Sequence, residues 1–295
     1  MRFAFIFLLF FVISSPLAFS QTDPDWTTAI APFQISDHLY YVGSKDLASY
    51  LIVTPKGNIL INANLPSSPP LIRRSVGQLG FRWKDIKILL NSQAHFDHMG
   101  GAAQVIRETG AKNMVMDDDV DVVKTGGEKD FLSPSPNLEH YPPCQVDSVL
   151  HDGSTISLGG VKLYANKTAG HTRGCTTWTM QDHLPGEPKN TRRNIVIIGG
   201  TSFWSEYHFV PTANSKESYP GIAADFEKTF AKLQALPCDI FLGAHGKYFN
   251  LLTKLERYVK EGPKVFIDPS GYRKYVAEAK NTFFTELSKQ QATTH

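Results

Sequence analysis

The run Gln93-Ala94-His95-Phe96-Asp97-His98 follows directly on an apolar, strand-like stretch at residues 86–90. It sets two imidazoles and a carboxylate within a single turn of chain. Successive side chains on a straight strand point to opposite faces, whereas neighbours on a turn can point at two adjacent ions. Neutral imidazole nitrogen and carboxylate oxygen are the donors that zinc takes. A polar loop with solvated histidines is the plainer account of any one of these residues. The set of three, followed by Met99-Gly100-Gly101 and a helical pattern, reads as metal ligation.

A fold that uses this loop must bring further donors to it. Two histidines stand in the matching context, beside glycines at strand ends: His171 in Ala169-Gly170-His171-Thr172 and His245 in Gly243-Ala244-His245-Gly246. Glycine permits the sharp turn that presents a side chain at a sheet edge, and such loops are where sheet-based enzymes bind ligands. His38, His140, His151, His183, His208 and His295 lack that context and read as surface or core residues.

The surrounding pattern supplies the strands. Residues 38–42, 50–54 and 59–63 read as a β-meander with the turn Pro55-Lys56-Gly57-Asn58. A helix is expected over 69–79, a strand over 86–90 and a helix over 102–108. The stretch 132–143, rich in Pro, Ser and Asn, reads as a long surface loop, either over the site or apart from it. Strand chemistry resumes over 155–165 around Gly159-Gly160, then at 195–198. Ile222, Phe226, Phe230 and Leu233 recur at helical spacing, residues 239–242 form a strand, and 273–287 an amphipathic helix. Strands followed by helices occur twice, which predicts an α/β fold of two packed sheets with helices outside.

The chain has 295 residues with net charge +2 and both signs spread along it, so it lacks the basic stripe that nucleic-acid binding requires. Arg2, the apolar run 3–13 and the small residues Ala18 and Ser20 before Gln21 read as an export signal over 1–20, too short to span a bilayer. Residues 21–295 are then a single domain. No lipobox cysteine follows the signal, so a soluble periplasmic monomer without a membrane anchor is expected. Cys144, Cys175 and Cys238 are odd in number and show no CxxC spacing, which argues against a thiolate zinc site.

With these residues in view, the chain resembles the metallo-β-lactamase superfamily, whose signature is His-x-His-x-Asp-His plus two later histidines. Thr168-Ala169-Gly170-His171-Thr172, Leu236-Pro237-Cys238-Asp239-Ile240 and Phe266-Ile267-Asp268-Pro269-Ser270-Gly271 resemble its third subclass more specifically. The resemblance implies the four-layer αββα sandwich, two mixed sheets face to face with helices outside. It implies a first zinc held by Gln93, His95 and His171 and a second held by Asp97, His98 and His245. It further implies a zinc-activated water, oriented by Asp97, that attacks the carbonyl of a small β-lactam substrate. Thr201, Ser202 and Phe203 are the candidate substrate-binding residues, with Trp204 and Tyr207 as a possible aromatic floor.

The chain departs from the family pattern in three places. Gln93 stands where histidine is usual, and a neutral amide offers only its carbonyl oxygen, a weaker zinc ligand than imidazole. The site of Asp97, His98 and His245 is therefore expected to be the tighter, with one or two zinc ions bound. Gly199-Gly200 stands where glyoxalase-type and lactonase-type relatives carry a metal-bridging aspartate, which favours lactam over thioester or lactone hydrolysis. Tyr272 stands where the subclass often has the cysteine that pairs with the one at 238, which leaves Cys238 to pair with Cys144 or Cys175 or, as expected, to remain a small buried apolar residue. The alternatives are an exported hydrolase of another ester or lactone, and a binding scaffold that lost catalysis with Gln93. Five ligand-competent residues kept at matching strand ends argue against the scaffold.

Overall fold

The computed structural model describes residues 23–293 except 136, 189, 213 and 214, so the expected export signal lies outside the described residues. Seven strands lie side by side in chain order: β1 (Phe33–Gln34), β2 (Leu39–Tyr41), β3 (Tyr50–Thr54), β4 (Gly57–Ile61), β5 (Ile86–Leu90), β6 (Lys112–Met116) and β7 (Ser148–Leu150). Pairing is antiparallel from β1 to β4 and parallel from β4 to β7. A second sheet contains β8 (Ser154–Leu158), β9 (Val161–Lys167), β10 (Thr176–Asp182), β11 (Arg193–Ile198) and β12 (Ile240–Gly243), in the order β12-β11-β10-β9-β8. Only β11 and β12 pair in parallel there, so both sheets are mixed.

Alternation along the strands sets the layers. Tyr50 and Ile52 of β3 and Ile59 and Ile61 of β4 face the interior between the sheets, while Leu51 and Leu60 face the other way. That outer face is covered by α1 (Pro69–Gln78) and α3 (Ala102–Thr109), through Ile72, Val76, Ala102 and Val105. Between them in the chain lies the short α2 (Phe96–Met99), and α4 (Val120–Lys124) follows. The second sheet is covered by α5 (Ile222–Ala235) and α7 (Pro269–Ala292), whose Phe226 and Phe283 stack 5.0 Å apart; α6 (Leu251–Glu261) lies between them in sequence. The result is the helix-sheet-sheet-helix sandwich the sequence implied.

Local chemistry explains the boundaries. Gly159 and Gly160 both take positive φ, 53° and 96°, the conformation of a two-residue hairpin turn, and they split the stretch 155–165 into β8 and β9. Asp268 caps α7 by accepting from the Gly271 backbone N–H at 2.8 Å, and Pro269 opens the helix with a preset φ. The stretch 132–143 is only partly a surface loop: Leu132 and Tyr141 are buried, and the Tyr141 hydroxyl donates to the Ala94 carbonyl at 2.7 Å. All three cysteines are free thiols, raised to about 12 chiefly by burial. Where a pairing partner for Cys238 would sit, Tyr272 is buried and donates to the Leu233 carbonyl at 2.7 Å.

The sheets meet most closely at one end. Thr176 N–H donates to the Ser92 carbonyl at 2.7 Å, the Tyr50 hydroxyl to the Gly243 carbonyl at 2.7 Å, and Ala48 N–H to the Ala244 carbonyl at 3.0 Å. These bonds tie the loop after β5 and the end of β12 to the opposite sheet. Phe226 serves the same end: a Cβ on Gly170, whose φ is 134°, would lie 2.7 Å from its ring. Phe226→Ala is expected to cost about 3–5 kcal/mol, as for other large-to-small changes in a packed core. Chemical denaturation measures this, and a loss below about 1 kcal/mol would show that the outer helices are not seated as described.

Candidate metal centre

Three loops deliver the donors. Gln93 and His95 leave β5, and His95 is the N-cap of the four-residue α2, so Asp97 and His98 turn to the other side of the same loop. His171 follows β9 and His245 follows β12. The backbone that receives these loops is unusual: Asn62 and Asn64 adopt φ of 65° and 56°. Asparagine tolerates this left-handed region better than most residues. The bend lets the Ala63 and Asn64 N–H groups both donate to the His98 carbonyl, at 3.0 and 3.1 Å, while the Asn62 side chain accepts from Ser92 N–H at 2.8 Å. Gly101 N–H donates back to the Asn64 carbonyl at 2.9 Å.

All six candidate ligands are buried and fall into two groups. In the first, His95 Nδ1 and His171 Nε2 are 3.2 Å apart. Gln93 Nε2 donates to the Gly199 carbonyl at 3.4 Å, and its buried Oε1 has no hydrogen-bond partner among the described residues. In the second, Asp97 Oδ2 is 3.2 Å from His98 Nε2 and 3.4 Å from His245 Nε2, and donor atoms of all three lie within 4.8 Å of one another. Two donors bound to one tetrahedral zinc at about 2.1 Å stand about 3.4 Å apart, which is the spacing seen here. Both ring nitrogens of His98 are buried without a hydrogen-bond partner among the described residues. Buried polar atoms are rarely left unpaired without a functional reason, so orphaned donors at this spacing fit zinc.

The electrostatics divide the donors: His171, His98 and Asp97 are held in metal-ready protonation states, whereas neighbouring carboxylates raise His95 and His245. Burial, followed by the neighbouring His95, pushes His171 down to about 3, and burial also lowers His98. Both imidazoles therefore keep a free lone pair at neutral pH. Burial alone would raise the Asp97 carboxyl, yet His98 and His245 hold it well below the ordinary carboxylate range. Burial would lower His245, but bonds to Asp46 and Asp97 raise it.

The ring nitrogens turned away from the donors are held as well. Asp46 Oδ2 lies 2.9 Å from His245 Nδ1. The same carboxylate also accepts from Trp26 Nε1 at 3.2 Å and, through Oδ1, from Lys247 N–H at 2.9 Å. His171 Nδ1 is 2.7 Å from the Ser202 carbonyl, and the Tyr207 hydroxyl donates to the His171 carbonyl at 2.6 Å. Such outer partners fix the ring orientation and tautomer of a metal-binding histidine. The sequence pattern did not single out Asp46 or Trp26.

The three candidate substrate residues divide. Ser202 is exposed, but Thr201 is buried with its hydroxyl 2.8 Å from the Tyr275 hydroxyl, and Phe203 packs edge-on to Phe209 and Phe226 in the core. Trp204 lies 5.2 Å from the His95 ring at an interplanar angle of 25°, while Tyr248 and Trp26 lie 5.1 and 5.9 Å from the His245 ring. Tyr207 is fully buried beneath His171.

Buried imidazole and carboxylate donors, gathered by strand-end loops of an αββα sandwich, fit the metal centre of a hydrolase. Residues 47–184 match the family described as the metallo-beta-lactamase superfamily. The native FEZ-1 metallo-beta-lactamase of Legionella gormanii is 44% identical, over 90% of this chain and 98% of that one, with a TM-score of 0.84. The class B3 di-zinc metallo-beta-lactamase LRA-12, from an Alaskan soil metagenome, is 32% identical over 90% and 97% of the two chains, with a TM-score of 0.79. A probable metallo-hydrolase of Burkholderia pseudomallei (strain 1710b) is 27% identical over 207 residues, 69% of this chain but only 65% of that protein. The chain belongs to the metallo-β-lactamase superfamily and is a hydrolase of that class.

Gly200 is a sensitive point of this centre. A Cβ there would meet Cδ2 of His171 at 2.7 Å and Cγ at 3.0 Å, and one on Gly199 would meet the Thr176 carbonyl at 2.4 Å. Any side chain at either position is thus disfavoured sterically. Gly200→Ala is expected to displace His171 and weaken zinc uptake by the His95–His171 group by at least tenfold, read by titration with a chromophoric chelator. Unchanged uptake would show that His171 is not held where it lies.

Proposed function

We propose that this chain is an exported, monomeric zinc β-lactamase that hydrolyses the amide bond of penicillins, cephalosporins and carbapenems and so confers resistance to them. The observation that carries the reading is the pairing of two donor groups across one loop, with Gly199-Gly200 in place of a bridging carboxylate. Likeness over nearly the full length of class B3 lactamases supports the substrate class. The signal-like pattern over 1–20 supports export to the periplasm, where β-lactams act.

Gln93, His95 and His171 would hold one zinc and Asp97, His98 and His245 the other. Zinc, when bound, supplies a water acidified to a pKa of about 7 and positive charge for the developing anion. The ionised Asp97 carboxylate can accept a hydrogen bond from the attacking water and fix its direction. Water oxygen bonds to the lactam carbonyl carbon, the C–N bond breaks, and the proton ends on the former ring nitrogen. Trp204, stacked on His95, shields that side of the centre from bulk water and offers an apolar surface to substrate. Because the Gln93 amide is the weakest of the six donors, the group of Asp97, His98 and His245 fills first.

Thorough chelation is expected to abolish turnover of a penicillin, a cephalosporin and a carbapenem, and zinc to restore it, with the first equivalent going to the group that His245→Ala destroys. Lactones and thioesters in the same panel are expected to stay intact. Turnover that survives complete metal removal, or preferential lactone hydrolysis, would overturn the reading.

A further inference from the structure

Asp130 belongs to none of the strand-end motifs, yet its side chain is 1% exposed and Oδ2 lies 3.5 Å from Nε2 of His95. We propose that Asp130 is the positioning residue of the Gln93, His95 and His171 group: its charge orients the His95 ring with Nδ1 toward the metal and makes that nitrogen a stronger donor. The inference rests on the zinc reading above and assigns a role to a carboxylate that the ligand set does not include.

A carboxylate taken this far out of water is strongly destabilising unless it is paired or fully hydrogen-bonded. Oδ1 is engaged by Leu132 N–H at 2.8 Å, which leaves Oδ2 directed at His95. The other nitrogen of that ring, Nδ1, is the one 3.2 Å from His171 Nε2. One face of the imidazole therefore meets a fellow donor and the opposite face meets a negative charge, the arrangement of a carboxylate–histidine–metal relay. A cation at Nδ1 draws electron density from the ring and makes Nε2–H more acidic, so a carboxylate behind it stabilises the loaded state more than the empty one.

The other half of the centre shows the same device independently, with Asp46 behind His245 at 2.9 Å. His171, by contrast, is backed only by the neutral carbonyl of Ser202. Each donor group thus contains one charge-backed histidine. In the first group this offsets the weak amide of Gln93. The neighbouring carboxylate Asp119 does something different: it accepts from Thr172 Oγ1 at 2.9 Å and from Gly174 N–H at 2.8 Å, and so shapes the turn after His171 without facing a ligand ring.

The test compares wild type, Asp130→Asn and Asp46→Asn as purified full-length proteins, each titrated with zinc against a chromophoric chelator. The two equivalents are assigned by their loss in His171→Ala and in His245→Ala. Asparagine keeps an oxygen for Leu132 N–H but not the charge, so D130N should weaken the His171-dependent equivalent by about 10–100-fold and spare the other, while D46N does the reverse. In metal-free protein with 15N-labelled histidine, D130N should shift the His95 ring resonances and leave His245 unmoved. Should D130N fail to fold, the Asp130 13Cγ resonance of the wild type must move as the His171-dependent equivalent fills. Two normal equivalents with unshifted His95 resonances in D130N, or an immobile Asp130 resonance, would overturn the role of Asp130 alone. A wild type that takes up no His171-dependent zinc would overturn the zinc reading and this inference together.

Discussion

His95 Nδ1 and His171 Nε2 meet at 3.2 Å in a buried site, a contact that at most one proton can occupy, and the rest of the structure depends on how it is held. Protonating one ring would relieve it in water. Here burial opposes protonation of His171, pushed down to about 3, whereas at His95 burial is outweighed by Asp130, which raises it, so a proton in this contact belongs to His95 and the lone pair to His171. Asp97 plays the matching part in the other group, an ionised oxygen between His98 and His245. A site of this kind is costly in isolation and favourable with a divalent cation, which is why metal binding and local order are coupled.

Holding such contacts needs backbone more than side chains. The donors sit on loops, but each loop is fastened across the sandwich: Ser92 to Thr176, Ala48 to Ala244, His98 to the left-handed bend at Asn62 and Asn64. The parallel strands β5, β11 and β12 end at this side, so their following loops open on the same edge. Two sheets whose inward faces are packed with Tyr50, Ile52, Ile59, Trp178 and Ile195 give those loops a rigid base. Tyr141 brings the long segment before β7 under Ala94, and Asp130 reaches His95 from that segment.

Much of this was legible in the chain. Strands β3 and β5 fall on their expected residues because turn signals bound them closely, and the Gly159-Gly160 pair marks a hairpin. The five histidine and aspartate ligand candidates stood out because glycine-flanked strand ends repeat around them. Strand β10, Thr-Thr-Trp-Thr-Met-Gln-Asp, went unread because threonine gives little apolar contrast along a strand buried on both faces over much of its length. Strand β6 and helix α6 were likewise not anticipated, since Lys112 and Asn113 interrupt one apolar run and charged residues dominate the other. Asp46 and Asp130 left no local sign at all: one meets His245 across 199 positions, and the other's partner is fixed only by tertiary packing. Of the candidate substrate residues after β11, Thr201 is buried with its hydroxyl against Tyr275 and the half-buried Phe203 packs on Phe209, because side chains after a strand end can turn to the core as readily as to the cleft.

The most direct test of the account is crystallography of the zinc-loaded protein with anomalous differences measured at the zinc edge. The account predicts one strong peak at bonding distance from Asp97, His98 and His245 and a second, weaker in occupancy, among Gln93, His95 and His171. Zinc bound elsewhere on the chain, or no peak at either group in protein that turns over a β-lactam, would contradict it.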